Sequence, residues 1–378
     1  MTRMLYCYPM WHTVSFTLVA RKHVEYVRRQ GLAPVHEIDE LTLPTFVPQL
    51  RYSLVVHPHI YIYDRVRTTR YNALSDALKD GFDKYMAWWR SNYEQVIGID
   101  VCDSDRIGDY AVALLNEADK VIVPSNFARE VCARSGVRRP VHVLWHGVDP
   151  EWYSEPNVWE SGPRQPVNAA VAFPYLFKLK TKRRVLLYWL WHSAERKGWF
   201  EVAEMYERLV RERSDVVLVM KTPVKDVPGV VQLKKKLGEL GVIQVFGWVS
   251  DYEKMALYDL ADITLNFSRG GGFELNGLES LARGVPCVAS NWGSWVDYMP
   301  GFLTVRTGEK VVVLPGNSIH VGYGYKVDVE SALDKVCDIL DNYDEYRART
   351  EEWRQKVLAP KFRWDVVARR LVEIVTEG

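Results

Sequence analysis

The stretch from Asn266 to Tyr298 reads N-F-S-R-G-G-G-F-E-L-N-G-L-E-S-L-A-R-G-V-P-C-V-A-S-N-W-G-S-W-V-D-Y. The apolar run Ile263 to Phe267 predicts a buried strand, Gly270 to Gly272 a tight turn, and the residues from near Leu275 a short helix. Val285 to Ser290 predicts a second strand. Glycines carry no Cβ, so an anion can approach the backbone of Gly270, Gly271 and Gly272 closely. A helix opening beside them offers unpaired N–H groups and the positive end of its dipole, which suits phosphate. Glu274 and Glu279 flank that turn and can accept hydrogen bonds from sugar hydroxyls. A phosphate cradle beside hydroxyl-reading carboxylates suggests a nucleotide-sugar. The same order of elements also fits a generic α/β crossover, and the residues alone leave both readings open.

This stretch resembles the signature of glycosyltransferase family 4, retaining enzymes of GT-B architecture, whose usual form is E-G-F-G-L-x-x-L-E-A-x-A-x-G-x-P-V-V-A-S. Gly272, Phe273, Leu275, Leu278, Glu279, Ala282, Gly284, Pro286, Val288, Ala289 and Ser290 fit that form. The first family glutamate falls on Gly271, and the second family glycine on Glu274. The resemblance implies that Glu279 holds the ribose and that Gly271, Gly272, Phe273 and Leu275 line the donor. Contact with the donor sugar passes, in our reading, to Glu274.

Further resemblances lie on either side. Trp191-His192-Ser193-Ala194-Glu195-Arg196-Lys197-Gly198 stands where the family has G-R-x-x-x-x-x-K-G. Lys197 matches the lysine that neutralises the diphosphate, and Trp191 stands at the arginine position. Lys221, at the end of the run Val216 to Met220, is read either as a second cation or as a surface ion pair, because ligands of open sheets bind beyond strand carboxyl ends. Val245 to Asp251 resembles the family turn that lines the nucleobase, with Trp248 and Val249 as the donor-side residues.

The first half departs further from the family. Its loop Tyr8-Pro9-Met10-Trp11-His12-Thr13 lacks the usual glycine pair, and His12 is expected to compensate as a donor. The family histidine near the transferred sugar is missing at Ile99 to Asp103. His57 and His59 are read either as acceptor contacts or as capping groups. Asp103-Ser104-Asp105 is a D-x-D of the kind that holds Mn²⁺ or Mg²⁺ in another glycosyltransferase architecture, but it reads more simply as a helix cap.

Composition sets the outer bounds. At 378 residues the chain suits two domains. A hydrophobic fraction of 48% with 26% charged residues describes an ordinary globular protein. A net charge of +1 gives no case for nucleic-acid binding. No apolar run reaches the length of a membrane span and no signal-peptide core is apparent, so a cytoplasmic setting is expected. Five cysteines without C-x-x-C spacing read as structural thiols. The basic run Lys178, Lys180, Lys182, Arg183 and Arg184, beside Phe173, Tyr175 and Phe177, is either a solvated run or a peripheral contact with anionic lipid. Tyr61, Tyr63, Arg65, Arg67 and Arg70 form a second cluster that would suit a phosphorylated acceptor.

The expected fold is α/β, GT-B, with two doubly wound Rossmann-like domains facing across a cleft. The boundaries read from the sequence are 1–150 for an acceptor-side domain, 151–184 for a proline-rich linker or insertion, and 185–360 for the nucleotide-sugar domain. Residues 361–378 read as an amphipathic helix that returns to the first domain. The resemblance implies a retaining, hexosyltransferase-like enzyme of class EC 2.4 that needs no metal and no cofactor beyond its nucleoside-diphosphate-sugar substrate. Lys197, Glu274 and His12 are the residues expected to carry the chemistry. The acceptor is a glycan, lipid or protein. The alternative is a catalytically silent nucleotide-sugar-binding partner or regulatory subunit of the same fold, which Gly271, Trp191 and the glycine-free first loop favour.

Overall fold

The computed structural model describes residues 2–190, 195–222, 235 and 238–377. The chain divides into two compact units. The first is Met1–Gly147 with Gly316–Gly322 and Phe362–Gly378, and the second is Val148–Pro315 with Tyr323–Lys361. Each is a Rossmann-like α/β unit with its own six-stranded parallel sheet, in accord with the fold class read from the sequence.

Unit 1 contains β1 (Met4–Tyr8), β2 (Val35–Asp39), β3 (Ser53–Val56), β4 (Gln95–Ile99), β5 (Lys120–Val123) and β6 (Val141–Val143), in the order β2-β1-β3-β4-β5-β6. Strands covered on both faces read as unbroken apolar runs, and β1 and β3 are buried at every position. The helix Ser15–Arg29 turns Val19, Ala20, Val24 and Val27 inward, and the helix Trp364–Thr376 packs against it. Gln30 Nε2 donates to the Asp365 carbonyl at 3.0 Å, and Gln95 Nε2 to that of Val375 at 2.6 Å.

Gly316–Gly322 also belongs to unit 1, which no local pattern announces. Gly108 N–H donates to the Ile319 carbonyl at 2.8 Å, Gly322 N–H to Ser104 Oγ at 3.1 Å, and Asp103 N–H to His320 Nδ1 at 3.3 Å. A Cβ at Gly322 would lie 2.5 Å from the Arg106 backbone nitrogen, so only glycine fits there. The D-x-D turn thus serves as a seat for a returning segment.

Unit 2 contains β7 (Arg184–Trp189), β8 (Val216–Thr222), β9 (Ile243–Phe246), β10 (Ile263–Asn266), β11 (Cys287–Ser290) and β12 (Thr304–Val305). Their order, β12-β11-β10-β7-β8-β9, reverses direction between β7 and β10, which are neighbours. An antiparallel hairpin of β13 (Thr307–Val312) and β14 (Tyr323–Val327) completes the unit.

The stretch expected as an irregular linker is more ordered than its prolines imply. It holds the helix Ala169–Thr181, with Pro174 inside it and the Asn168 side chain accepting from Ala170 N–H as its cap. Tertiary contacts outweigh the hydrogen bond that a mid-helix proline forfeits. Tyr175 stacks on Trp159 at 4.1 Å, Val171 and Pro174 are buried, and Lys178 Nζ donates to Asp262 Oδ2 and to the Leu260 carbonyl, each at 2.8 Å. Among the described residues no helix is long and apolar enough to cross a membrane.

Candidate functional site: the turn between β10 and the Leu275 helix

In an open parallel sheet the loops leaving two neighbouring strands on either side of a reversal splay apart and leave a crevice. In unit 2 these are the loops after β7 and β10. The first carries Arg196 and Lys197, and the second carries Gly270, Gly271, Gly272 and Glu274. They are locked together at Gly198, where φ is +72° and an added Cβ would meet the Phe267 carbonyl oxygen at 1.8 Å. Arg269 N–H donates to the Arg196 carbonyl at 2.7 Å, and Arg196 Nη1 to that of Gly270 at 2.9 Å.

Glu274 is the N-cap of the helix Leu275–Ala282 and has a left-handed backbone, φ 63° and ψ 69°. For a residue with a Cβ this conformation costs on the order of 1–3 kcal/mol, so its surroundings must hold it there. Tyr298 Oη donates to the Glu274 carbonyl at 2.5 Å. Lys197 Nζ donates to both carboxylate oxygens, at 2.7 and 2.6 Å, and Arg196 Nη1 lies 3.6 Å from Oε1. A buried carboxylate is tolerable only with such partners. The conformation carries the Glu274 side chain back over Gly271, where an added Cβ would lie 2.0 Å from Oε1. The carboxylate therefore occupies the space into which a side chain at position 271 would project.

Glu279 lies one turn further along the same helix and is buried. Its Oε2 accepts from Tyr258 Oη at 2.8 Å, and its Oε1 accepts from Lys254 Nζ. Lys254 and Tyr258 stand four apart on the helix Asp251–Leu260, hence on one face. They were not anticipated, although that i, i+4 spacing is a readable signal. Arg196, too, was missed.

Lys221 is 3% exposed and donates to the carbonyls of Thr222, at 3.3 Å, and Gly247. It ties the end of β8 to the turn after β9 from a buried position, so the reading of Lys221 as a surface group is corrected. Burial lowers its pKa to about 8. Trp248 is strongly exposed beyond β9, and Val249 beside it is partly buried. Phe273 is buried with its ring tilted by 49° against that of Tyr298, centroids 5.2 Å apart, while Gly272 and Leu275 are half-buried. Trp191 lies outside the described residues.

In unit 1, His12 is an exposed side chain with Nε2 3.6 Å from Glu40 Oε1. His57 and His59 do not reach solvent. His57 Nδ1 lies 3.2 Å from Tyr6 Oη, and His59 Nε2 lies 3.0 Å from the Leu114 carbonyl. Burial keeps both neutral, with the pKa of His59 lowered to about 4. The reading of these two as acceptor contacts is thereby corrected. The cluster around Arg65 is also largely spent. Arg67 pairs with Glu117 and Asp83, and Arg70 is buried over the Trp89 ring.

Residues 183–320 match the family model described as Glycosyl transferases group 1. A protein of Sulfolobus islandicus rod-shaped virus 1, "Uncharacterized protein 356", is 28% identical over 98% of this chain and 97% of its own length. The chain is similar in structure to HepE of Anabaena, solved with UDP, at TM-score 0.66 and 12% identity over 99% of this chain and 100% of that one. Sucrose-phosphate synthase of Thermosynechococcus elongatus gives TM-score 0.65 and 13% identity over 99% and 98%. The structural likenesses show the fold to be GT-B, and the matched family model supports a glycosyltransferase.

Proposed function

We propose that the chain transfers a sugar from a nucleoside-diphosphate-sugar donor to a glycan, lipid or protein acceptor, with anomeric retention, as enzymes of family 4 do. The observation that carries this reading is the Glu274 carboxylate held over Gly271 by Lys197, at the β7/β10 crevice of unit 2. Departure of the diphosphate dominates the barrier. Charge growing on it is met by the N-terminus of the Leu275–Ala282 helix and by Lys197, a preorganised site that costs little reorganisation. Glu274 then accepts hydrogen bonds from donor-sugar hydroxyls, and Glu279 from the ribose. The departing phosphate can take the acceptor proton on the same face, so no protein nucleophile and no metal enters the reading. HepE has been solved with UDP and with UDP-glucose, which supports a donor of that chemical class.

Thermal-shift screening of UDP-, GDP-, ADP- and dTDP-sugars, followed by donor hydrolysis with the best ligand, tests the proposal. Stabilisation together with released sugar is expected, because a ligand that binds only the native state raises its stability. Stabilisation without hydrolysis or transfer would leave the catalytically silent partner, and no stabilisation would remove the donor site itself.

A second observation favours peripheral contact with an anionic membrane, in a cytoplasmic setting. The helix Ala169–Thr181 leaves Phe173, Leu176 and Leu179 exposed at intervals of three. Lys180 and Lys182 extend beyond them into solvent and Arg183, partly buried, lies over the Phe177 ring at 6.0 Å, whereas Lys178 and Arg184 both pair with Asp262. An outward apolar face with a cationic end suits the interface of an anionic bilayer.

A further inference from the structure

Cys102 and Cys132 stand 30 positions apart in the chain, and their sulfurs meet at 3.8 Å in the core of unit 1. Cys102 lies in the irregular turn after β4, and Cys132 on the buried face of the helix Asn126–Ser135, together with Ala128 and Val131. Contacts other than their own place both residues. Ser125 Oγ accepts from Ala128 N–H at 3.1 Å and so caps the helix. Ile107 N–H donates to Ser135 Oγ at 3.2 Å, which holds the far end of the turn against the far end of the helix. Cys102 S–H donates to the Ala128 carbonyl at 3.7 Å. The same turn seats Gly316–Gly322 through Asp103 and Ser104.

Two buried thiols in contact gain little beyond packing, because sulfur is a weak donor and a weak acceptor. A covalent bond needs the sulfurs about 2 Å apart. The helix is regular and capped, so the approach falls to Cys102, whose turn has no regular structure to lose. Contact with Cys132 and burial together push the Cys102 thiol well up. The thiolate is the reacting species, so exchange in the folded chain is slow at neutral pH, and the finished bond is shielded from reductants by the same burial. No C-x-x-C spacing announces the pair, since the strand order of unit 1 brings the two residues together.

We propose that Cys102 and Cys132 form an intramolecular disulfide under oxidising conditions, a brace between the turn that seats Gly316–Gly322 and the helix Asn126–Ser135. The oxidant is a small-molecule disulfide. The Cys102 thiolate attacks one of its sulfurs, which breaks that S–S bond and expels one small thiolate. The Cys132 thiolate then attacks the Cys102 sulfur and expels the second. Two protein thiols are oxidised, the small disulfide is reduced to two thiols, and the two protein protons end on them. The bond closes a loop inside unit 1 and leaves unit 2, which carries the nucleotide-sugar crevice, untouched.

The native chain, and the chain refolded from guanidinium so that both thiols are accessible, are each equilibrated with reduced and oxidised glutathione at about pH 8.5, near the ordinary thiol pKa. Free thiols are then blocked, and the products are read by intact mass and peptide mapping. The reduced chain holds five free cysteines. Oxidation should remove two of them in at least one preparation and link the peptides that carry Cys102 and Cys132. Amide exchange over residues 102–132 should slow about tenfold, and exchange over residues 262–290 should not change. Cys102→Ser and Cys132→Ser should each abolish the link and the slowing, whereas Cys337→Ser should keep both. Should the Cys132 variant fail to fold, the unaltered chain with and without oxidant still carries the test. Five free thiols in both preparations, a link through another cysteine or between two chains, or glutathione retained on Cys102 overturns the proposal. A Cys102–Cys132 link that leaves exchange unchanged overturns its role as a brace.

Discussion

Gly271 and Glu274 exclude one another's side chains: a Cβ on the first would stand 2.0 Å from Oε1 of the second. One carboxylate fits the space, and this chain supplies it from position 274 through a left-handed backbone. Gly271→Ala should displace Glu274 from Lys197 and lower transfer at least tenfold. The exchange Gly271→Glu with Glu274→Gly should restore most of it, since the carboxylate returns to the same space and the φ of 63° at position 274 then falls on a glycine. Transfer assays on the single and double variants check this, and additive losses would refute the equivalence.

Glu279 should govern nucleotide affinity. Charge-assisted hydrogen bonds contribute roughly 1.5–3 kcal/mol each. Glu279→Gln, which keeps the side-chain shape for Tyr258 and Lys254, should weaken nucleoside-diphosphate binding at least tenfold by calorimetry. Unchanged affinity would confine Glu279 to the packing of the helix Asp251–Leu260.

The stability of unit 1 should fall in mild acid. His23 and His146 are lowered to about 3 and His59 to about 4, in each case chiefly by burial, and His57 is lowered as well. A group whose folded pKa lies below its unfolded value of about 6.5 binds protons preferentially in the unfolded chain. Its stabilisation is complete above pH 6.5 and is lost as the pH falls toward the folded value, at roughly 1.4 kcal/mol per pH unit for each group. Asp100, raised to about 7 by burial, acts in the opposite direction between about pH 4 and 7. Glu40, likewise raised by burial, acts with Asp100, and four histidines outweigh these two carboxylates. Denaturant unfolding between pH 7 and 4 should show decreasing stability, with a shallower slope in His23→Gln.

Transfer should persist in excess EDTA. The proposed charge neutralisation rests on Lys197 and a helix N-terminus, and the D-x-D turn already seats Gly316–Gly322. Abolition by EDTA with rescue by Mn²⁺ would restore a metal to the mechanism.

Phe173→Ser with Leu176→Ser should release the chain from phosphatidylglycerol vesicles in co-sedimentation and leave nucleotide binding unchanged. Both side chains are exposed, so their loss removes no buried contact. Equal sedimentation of the variant would assign this helix face another role.

Much of the fold was legible in the order of residues. Buried parallel strands announce themselves as apolar runs, so β7, β8 and β10 could be read directly. The glycine turn with the helix after it is likewise a local pattern, and it pointed to phosphate before any geometry was known. The Ala169–Thr181 helix was hidden because Pro174 argues against it locally, while Trp159 and Asp262, which hold it, come from elsewhere in the chain.

The amino-acid order by itself determined the alternation of strands and helices and the glycine cradle with its two glutamates, because these depend on neighbours within a few residues. Only the tertiary structure decided which charges meet. Lys197 reaches Glu274 across 77 positions because two loops leave adjacent strands at one crevice. Glu40 stands between His12 and Arg65 for the same reason. The burial of His57 and His59 and the return of Gly316–Gly322 to unit 1 are equally products of packing. Contacts between distant residues are set by strand order, and strand order follows from how the whole chain buries its apolar faces.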